Sequence, residues 1–350
     1  MTIKTTRALS LFSGGLDSIC ATRLIMEQGI EVVAVKFVSP FFGYDILKDP
    51  EHYRQEMQEK YGVDVRVIDI SEEYLEMLRN PRYGYGRYFN PCVDCKIFML
   101  KRARAMLDEV GASFIITGEV LYQRPMSQRR DTLNIIERDS ETKAILLRPL
   151  SAKMMKETDA ELQGLVDRDK LLDFHGRGRS RQIGLAKHFG ITDFPAPAGG
   201  CILADPILSR RIAMVYSGDF IVSQENMSVT DILLMLIGRQ FILPGSGWLI
   251  LGRDEKENRR LEELKEPGDI RFDIEKRPGP TALIRRAGEL YRDNYLKEQD
   301  VQHAASLVSR YAKKVNGQAL AGCVIVDDHQ KHYEVRAEPA EDDIFESWKI

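Results

Sequence analysis

The segment Ser13-Gly-Gly-Leu-Asp-Ser18 constrains this chain more than any other part of its sequence. The apolar run 8–12 before it is typical of a buried strand, and residues 19–28 after it have the apolar spacing of a helix. A tight turn between a strand and a helix leaves backbone N–H groups unpaired, and the helix dipole favours an anion there. The sequence therefore predicts a phosphate-binding loop formed by Ser13, Gly14, Gly15, Asp17 and Ser18. The chain lacks the Gly-x-x-x-x-Gly-Lys-Ser/Thr motif, so this loop must bind phosphate without the lysine of that motif.

Strand and helix patterns alternate over the first part of the chain. This alternation predicts an α/β fold, with a parallel five-stranded sheet covered by helices on both faces. Ligands of such sheets bind at the carboxyl ends of the strands, where the Ser13 turn and Gly118 lie. We predict a first domain over residues 1–205. Its further strands are predicted at 31–37, 64–70, 113–117 and 144–150, and its helices at 17–28, 51–61, 72–78 and 93–110.

A different pattern follows residue 205. Helical segments and short strands alternate irregularly, with a hairpin around Pro244-Gly-Ser-Gly247. We predict a smaller α+β domain over residues 206–340, with a possible role in RNA binding. Residues 341–350 are rich in Glu and Asp, and we predict that they form a loose acidic tail.

Composition narrows the class of protein. The chain has 350 residues, of which 43% are hydrophobic and 29% charged, as in a globular protein. No apolar stretch approaches the ~20 residues of a membrane span, and no signal-peptide pattern precedes the first strand. We therefore expect a cytoplasmic protein without membrane contact. The net charge of −3 does not indicate a nucleic-acid binder, but the basic segments 124–130 and 175–181 are local candidates for one.

Three of the five cysteines suggest a reactive site. Cys92 and Cys95 lie one turn apart at the start of a predicted helix, where we expect the pKa of each thiol to fall. Cys201 lies in a Gly/Pro-rich loop. The three thiolates could hold three irons of a [4Fe–4S] cluster and leave the fourth open. Two alternatives are zinc, with His175 or His188 as a further ligand, and a persulfide with a resolving thiol.

The other two cysteines are expected to be ordinary core residues. Cys20 lies in the first predicted helix, and Cys323 lies in the apolar segment 320–326. A buried free cysteine behaves as a small hydrophobic residue.

Several motifs together resemble one enzyme family. The Ser-Gly-Gly-x-Asp-Ser loop resembles the PP-loop of ATP pyrophosphatases, which cleave ATP between its α and β phosphates. Within that family, the Thr-Gly-Glu and Ser-Gln pairs of segment 117–128 resemble the 4-thiouridine synthetase branch of tRNA thiouridine synthetases. Leu147-Arg-Pro-Leu150, followed by Lys156-Glu157, resembles another segment of that branch. The resemblance covers residues 5–205.

The resemblance implies a reaction and roles for residues. ATP, with Mg²⁺, would adenylate a pyrimidine oxygen of tRNA, most plausibly of a uridine, and sulfur would then replace that oxygen. Asp17 would position Mg²⁺ or cap the helix, and Cys92, Cys95 and Cys201 would supply sulfur or hold the cluster. The nucleotide would be bound by the loop residues and by Phe37, Lys96, Gly118, Gln123 and Gln128.

Partners follow from the same resemblance. They are tRNA and a sulfur donor, either sulfide or a cysteine desulfurase, and the protein is a possible homodimer. Segment 239–258 also resembles an RNA-binding module of ribosome-associated quality-control proteins. Two alternatives remain: an amide-forming synthetase in which ammonia attacks the adenylate, and a non-catalytic protein that binds ATP and RNA.

Overall fold

The chain divides between Ala204 and Asp205 into two compact units. A computed structural model describes residues 6–197, 199–218, 220–328 and 331–350. Residues 1–5 of the predicted first domain therefore lie outside the described part. No helix among the described residues combines the length and apolar character needed to cross a membrane.

The first unit is built on a parallel sheet of five strands, as predicted. Its order is β3-β2-β1-β4-β5, so β1 lies at the centre between β2 and β4. Every residue of β4 is buried, because helices cover both faces of a sheet of this kind. The strands are β1 (Arg7–Leu11), β2 (Glu31–Val38), β3 (Val65–Asp69), β4 (Phe114–Thr117) and β5 (Leu146–Leu147).

The helices of this unit pack their apolar residues against the sheet. Ile19 and Leu24 of the first helix lie in one apolar cluster with Ala34 of β2. The predicted helix over 93–110 is divided at Met106 into two helices. The helices are α1 (Leu16–Met26), α2 (Pro50–Tyr61), α3 (Ser71–Arg79), α4 (Cys92–Ala105), α5 (Leu107–Val110), α6 (Arg130–Asp139), α7 (Asp159–Leu162) and α8 (Ser180–His188).

The second unit is an α+β fold around an antiparallel sheet of six strands. The sheet order is β11-β10-β8-β9-β7-β6. The elements are α9 (Pro206–Ser217), α10 (Val229–Met235), β6 (Arg239–Ile242), β7 (Trp248–Leu251), α11 (Glu255–Leu264), β8 (Ile270–Ile274), β9 (Ala282–Arg285), α12 (Ala287–Leu290), α13 (Asn294–Tyr311), β10 (Gly322–Asp327), β11 (His332–Ala337) and α14 (Asp342–Phe345).

The prediction of a loose acidic tail over 341–350 was wrong. Phe345 is only 2% exposed and lies in the apolar core of the second unit, and Trp348 packs against that core. The backbone N–H of Ile350 donates to the carbonyl of Gln240 at 3.1 Å. The aromatic anchors outweigh the acidic composition, because burying a ring of this size stabilises a segment more than its solvated charges loosen it.

Candidate active site

The loop between β1 and α1 has the open backbone of an anion site. Gly14 has a φ of 80°, which favours glycine, and a Cβ there would lie 2.8 Å from the Tyr53 hydroxyl. Gly15 is the N-cap of α1 and no side chain caps it, so the first N–H groups of the helix remain for a ligand. Ser13 Oγ donates to Ser18 Oγ at 3.0 Å, which fixes the two hydroxyls of the motif beside each other.

Lys36 is a cation of this site that the sequence interpretation missed. It lies on β2, and its ammonium group donates to the backbone oxygen of Ser13. Burial lowers the pKa of Lys36 to about 8. With Ser13, Gly14 and Tyr53 it lines a cleft of about 340 Å³. The signal was present in the sequence, since Lys36 is the one charged residue in the run 32–38.

Asp17 lies in a polar pocket. Gln123 Nε2 donates to Asp17 Oδ2 at 3.1 Å. Burial raises the pKa of Asp17, although Gln123 and two nearby arginines, Arg179 and Arg124, act to lower it. The alternative that Asp17 caps the helix was wrong, because the cap position belongs to Gly15 and has no side-chain hydrogen bond.

Asp17 and two glutamines have buried oxygen atoms that accept no hydrogen bond from a described residue. Asp17 Oδ1, Gln123 Oε1 and Gln182 Oε1 have no hydrogen-bond partner among the described residues. A buried oxygen without a partner is costly, and carboxylate and amide oxygens are the ligands that Mg²⁺ prefers. The donor set therefore fits the predicted Mg²⁺ ion.

The other predicted nucleotide residues have local structural contacts. Gly118 follows β4, and a Cβ there would lie 2.4 Å from the backbone nitrogen of Ser18, so its lack of a side chain admits the first turn of α1. Gln128 is buried and its Oε1 accepts the N–H of Arg124 at 3.0 Å. Phe37 is buried on β2. Direct contact of these three with a nucleotide stays a prediction.

Lys96 belongs to a buried ionic network at the end of β4. Its Nζ lies 3.4 Å from Glu119 Oε1, and Arg148 Nε donates to Glu119 Oε2 at 2.9 Å. Arg148 also pairs with Glu137. Burial by itself would raise the pKa of Glu119, but Lys96 and Arg148 together lower it. Glu119 therefore holds Lys96 in place, and whether Lys96 contacts ATP stays a prediction.

The three predicted thiols lie close together. Cys95 interacts electrostatically with both Cys201 and Cys92, and Cys201 also interacts with Cys92. Burial raises the pKa of Cys95 to about 11, and it raises the pKa of Cys201 as well. The expected fall in pKa was therefore wrong for Cys95, because desolvation outweighs the favourable helix terminus.

The spacing of the thiols bears on which group they could hold. Among the described residues, the three sulfur atoms do not form a set that lies within 4.8 Å of one another, and no histidine joins them in such a set. A single zinc ion needs four ligands about 2 Å from itself and hence close to each other. A [4Fe–4S] cluster spreads its cysteines more widely, because each binds a different iron. Which of the two groups the thiols hold stays a prediction.

Aromatic rings cluster around Tyr74, a partner of Cys95. Tyr74 of α3 is 1% exposed, and its hydroxyl hydrogen-bonds to the Cys95 sulfur. The Tyr74 ring has neighbouring rings at centroid distances of 5.6 Å (Phe41), 5.4 Å (Phe42) and 6.2 Å (Phe98). These rings form an apolar wall around Tyr74. Sequence reasoning missed it, because its members come from three separate segments.

Both basic segments lie near the phosphate loop. Residues 121 and 175 form a bridge, and the N–H of Gly176 donates to the carbonyl of Leu121 at 2.8 Å, so the two segments run side by side. Arg179 and Arg124 both lower the pKa of Asp17. Arg124 also acts on Cys201. One arginine is therefore near both the phosphate loop and a thiol.

The two remaining cysteines differ from each other. Cys20 is fully buried in the apolar core, as predicted. The prediction that Cys323 is a core residue was wrong, because its sulfur donates to Glu334 at 3.0 Å on an exposed surface. Val324 and Val326 face the core from β10, so Cys323 points to the other side of the strand.

The family comparison agrees with this geometry. Residues 4–161 match the family model described as thiamine biosynthesis protein (ThiI). This part of the chain is similar to the ThiI family. Residues 238–349 match the model described as NFACT protein RNA binding domain, which agrees with the RNA-binding resemblance of segment 239–258.

Individual relatives match part of this chain. The tRNA-specific 2-thiouridylase MnmA of Syntrophotalea carbinolica is 32% identical over 33% of this chain and 35% of the relative. A probable tRNA sulfurtransferase of Thermococcus kodakarensis is 30% identical over 39% of this chain and 35% of the relative. The chain thus spans about a third of the length of the curated relatives it matches. A solved 4-thiouridine synthetase–RNA complex with bound ATP overlaps 53% of this chain and 52% of its own, at 19% identity and a TM-score of 0.34.

Proposed function

We propose that this protein is an ATP-dependent tRNA sulfurtransferase. It adenylates a pyrimidine oxygen of tRNA, most plausibly of a uridine, releases pyrophosphate and replaces that oxygen with sulfur. The observation that carries the proposal is the position of Arg124, which interacts with Asp17 of the phosphate loop and with Cys201 of the thiol site. Arg124 is therefore a shared cationic neighbour of the phosphate loop and of the thiol site.

The first step uses the residues around the phosphate loop. The pyrimidine oxygen attacks the α-phosphate, an O–P bond forms, and the bond to the β-phosphate breaks as pyrophosphate leaves. The open N–H groups of α1 and the Lys36 ammonium would bind the departing phosphates and offset their charge. Asp17, with the orphaned oxygens of Gln123 and Gln182, would hold the Mg²⁺ ion that neutralises the phosphates.

The second step replaces AMP. A sulfur nucleophile attacks the activated ring carbon, and AMP leaves with the original oxygen. A [4Fe–4S] cluster on Cys92, Cys95 and Cys201 would supply an open iron that binds sulfide. The apolar wall around Tyr74 would keep water from competing with sulfur at that carbon. A persulfide carried by one of the same cysteines is the alternative.

The second unit would bind the body of the tRNA. Its match to an RNA-binding model supports this role. The sulfur donor, the possible homodimer and the cytoplasmic location stay predictions.

The test combines substrates with the purified full chain under anaerobic conditions. ATP, Mg²⁺, sulfide and bulk tRNA should give AMP, pyrophosphate and a thionucleoside in equal amounts. Asp17→Asn should reduce pyrophosphate release by about 100-fold or more, since it removes a charge that positions the metal. The Gly184→Ala variant is a control in α8, where nothing lies within 4 Å of an added Cβ.

Two results would contradict the proposal. Absence of both AMP and thionucleoside would favour a non-catalytic binding protein. When ammonium and a carboxylic acid replace sulfide and tRNA, AMP and amide formation by a Cys92→Ser variant would favour an amide-forming synthetase.

A further inference from the structure

Two exposed tyrosines adopt an unusual backbone conformation beside the candidate active site. Tyr88 and Tyr122 have φ angles of 57° and 64°, in the left-handed region. They are 43% and 47% exposed. Both features cost free energy, because a bulky residue rarely adopts this conformation and an aromatic ring in water forgoes burial. Strain of this kind is typically retained where a ligand binds.

Each tyrosine is joined to one half of the site. Tyr122 directly precedes Gln123, whose amide donates to Asp17 at 3.1 Å. Tyr88 lies in the loop that ends at Asn90, whose Oδ1 accepts the thiol hydrogen of Cys92 at 3.0 Å. Tyr122 is thus one residue from a partner of the phosphate loop, and Tyr88 is two residues from a partner of Cys92.

The two loops that carry these rings are adjacent and anchored. A Cβ on Gly86 would lie 3.8 Å from the Cε atom of Met126, a side chain that is 61% exposed. The Asp94 carboxylate accepts the N–H groups of Arg82 and Tyr83 at 3.0 and 2.9 Å, which attaches the first loop to α4. In the second loop, the N–H of Tyr122 donates to the carbonyl of Gln128 at 2.7 Å. The rings are therefore presented by ordered segments.

The charge of these loops favours nucleic acid. Segments 82–90 and 122–130 contain arginines and no acidic residue. The Arg87 guanidinium lies 5.4 Å from the centroid of the Tyr88 ring. Exposed aromatic rings beside arginines are typical of sites for unpaired RNA bases, which stack on the rings while the arginines bind phosphates.

We propose that Tyr88 and Tyr122 stack on unpaired bases of the RNA substrate and hold the target nucleotide outside its helical stack. This inference rests on the proposed function and adds the residues that position the base. A pyrimidine oxygen inside a stacked duplex cannot reach a buried loop and thiol, so the base must be presented unstacked. Tyr88 and Tyr122 are positioning residues in this account.

Two kinds of variant distinguish the effect of losing the aromatic ring from the effect of changing the backbone strain. Tyr88→Asn and Tyr122→Asn remove the rings, and Asn tolerates the left-handed conformation. Tyr88→Phe and Tyr122→Phe keep a stacking surface. Leu162→Ala is the matched control, because this exposed side chain, at 67%, lies on α7 of the same unit.

Two readouts are needed with the full chain. Thiolation of bulk tRNA should lose about tenfold or more in kcat/KM in each Asn variant, with ATP affinity unchanged, while the Phe variants and Leu162→Ala retain wild-type values. Ultraviolet irradiation with an oligouridine that contains 5-iodouridine should crosslink to Tyr88 or Tyr122, since that base reacts with rings on which it stacks.

Wild-type thiolation by both Asn variants, or crosslinks confined to other residues, would overturn the inference. In the first case this surface would serve a protein partner instead. If the wild-type protein forms no thionucleoside, the proposed function fails, and the crosslink still decides separately whether the two rings stack on RNA.

Discussion

At the scale of single residues, the phosphate loop stabilises a negative charge, whereas burial at the thiol site disfavours one. The loop leaves N–H groups open and adds the Lys36 ammonium from a neighbouring strand, which prepares it for an anion. Burial raises the pKa of Cys95 and Cys201, so their thiolates need a positive partner such as a metal centre. The sequence predicts which residues form the loop and the thiol group, and their roles stay predictions. It does not predict pKa directions, since these depend on burial.

Lys36 makes ATP binding depend on pH. Its pKa is about 8 in the free protein, and bound phosphates should raise it. Above about pH 8 the complex then holds more protons than the free protein, so ATP affinity must fall as pH rises, by up to about tenfold per pH unit. Calorimetry across this range should show the fall in the wild type. Lys36→Arg stays charged and should show a flat profile, and equal slopes in the two proteins would contradict this role.

The three thiols should act as one iron site. After anaerobic reconstitution, the wild type should bind iron and sulfide and show a broad charge-transfer absorbance. Cys92→Ser and Cys201→Ser should each lose most of the bound iron, because a cluster with two cysteine ligands is poorly held. Cys20→Ala, which changes a cysteine of the apolar core, should bind as much iron as the wild type. Unchanged iron in Cys92→Ser would exclude the cluster.

At the scale of elements, the sheet places the site by bringing strand ends together. β1 lies between β2 and β4, so the Ser13 turn has Lys36 on one side and Gly118 on the other. Most helices and strands of the first unit are predictable from periodicity. Helix α13 begins at Asn294, because Asp293 caps it by accepting the N–H of Tyr295. Contacts between distant segments, such as Tyr74 with Cys95, leave no periodic signal in the sequence.

Gly118 tests how closely β4 and α1 must approach. Gly118→Ala places a methyl group 2.4 Å from the backbone nitrogen of Ser18, so we expect a loss of about 1–3 kcal/mol in unfolding free energy and weaker ATP binding. Gly184→Ala in α8 meets no atom within 4 Å and should stabilise the helix by about 0.5–1 kcal/mol. Urea unfolding measures both. A Gly118→Ala variant as stable as the wild type would show that the strand end and the helix can separate without cost.

At the scale of the whole molecule, the chain combines a parallel-sheet unit that matches the ThiI family model with a unit that matches an RNA-binding model. The fold class of both units is predictable from the sequence, because the change from regular to irregular alternation near residue 205 is visible in the apolar pattern. The packing of the C-terminal segment against the core of the second unit is not predictable from the sequence. Phe345 and Trp348 lie among acidic residues, which suggest a solvated tail.

The central claim is that the adenylate made at the Ser13 loop serves to insert sulfur into tRNA. The most direct measurement is nucleoside mass spectrometry of tRNA from cells that lack this protein, compared with the same cells given the wild type or Asp17→Asn. We predict that one thionucleoside disappears in the deletion, returns with the wild type and does not return with Asp17→Asn. An unchanged set of thionucleosides in the deletion strain would contradict the account.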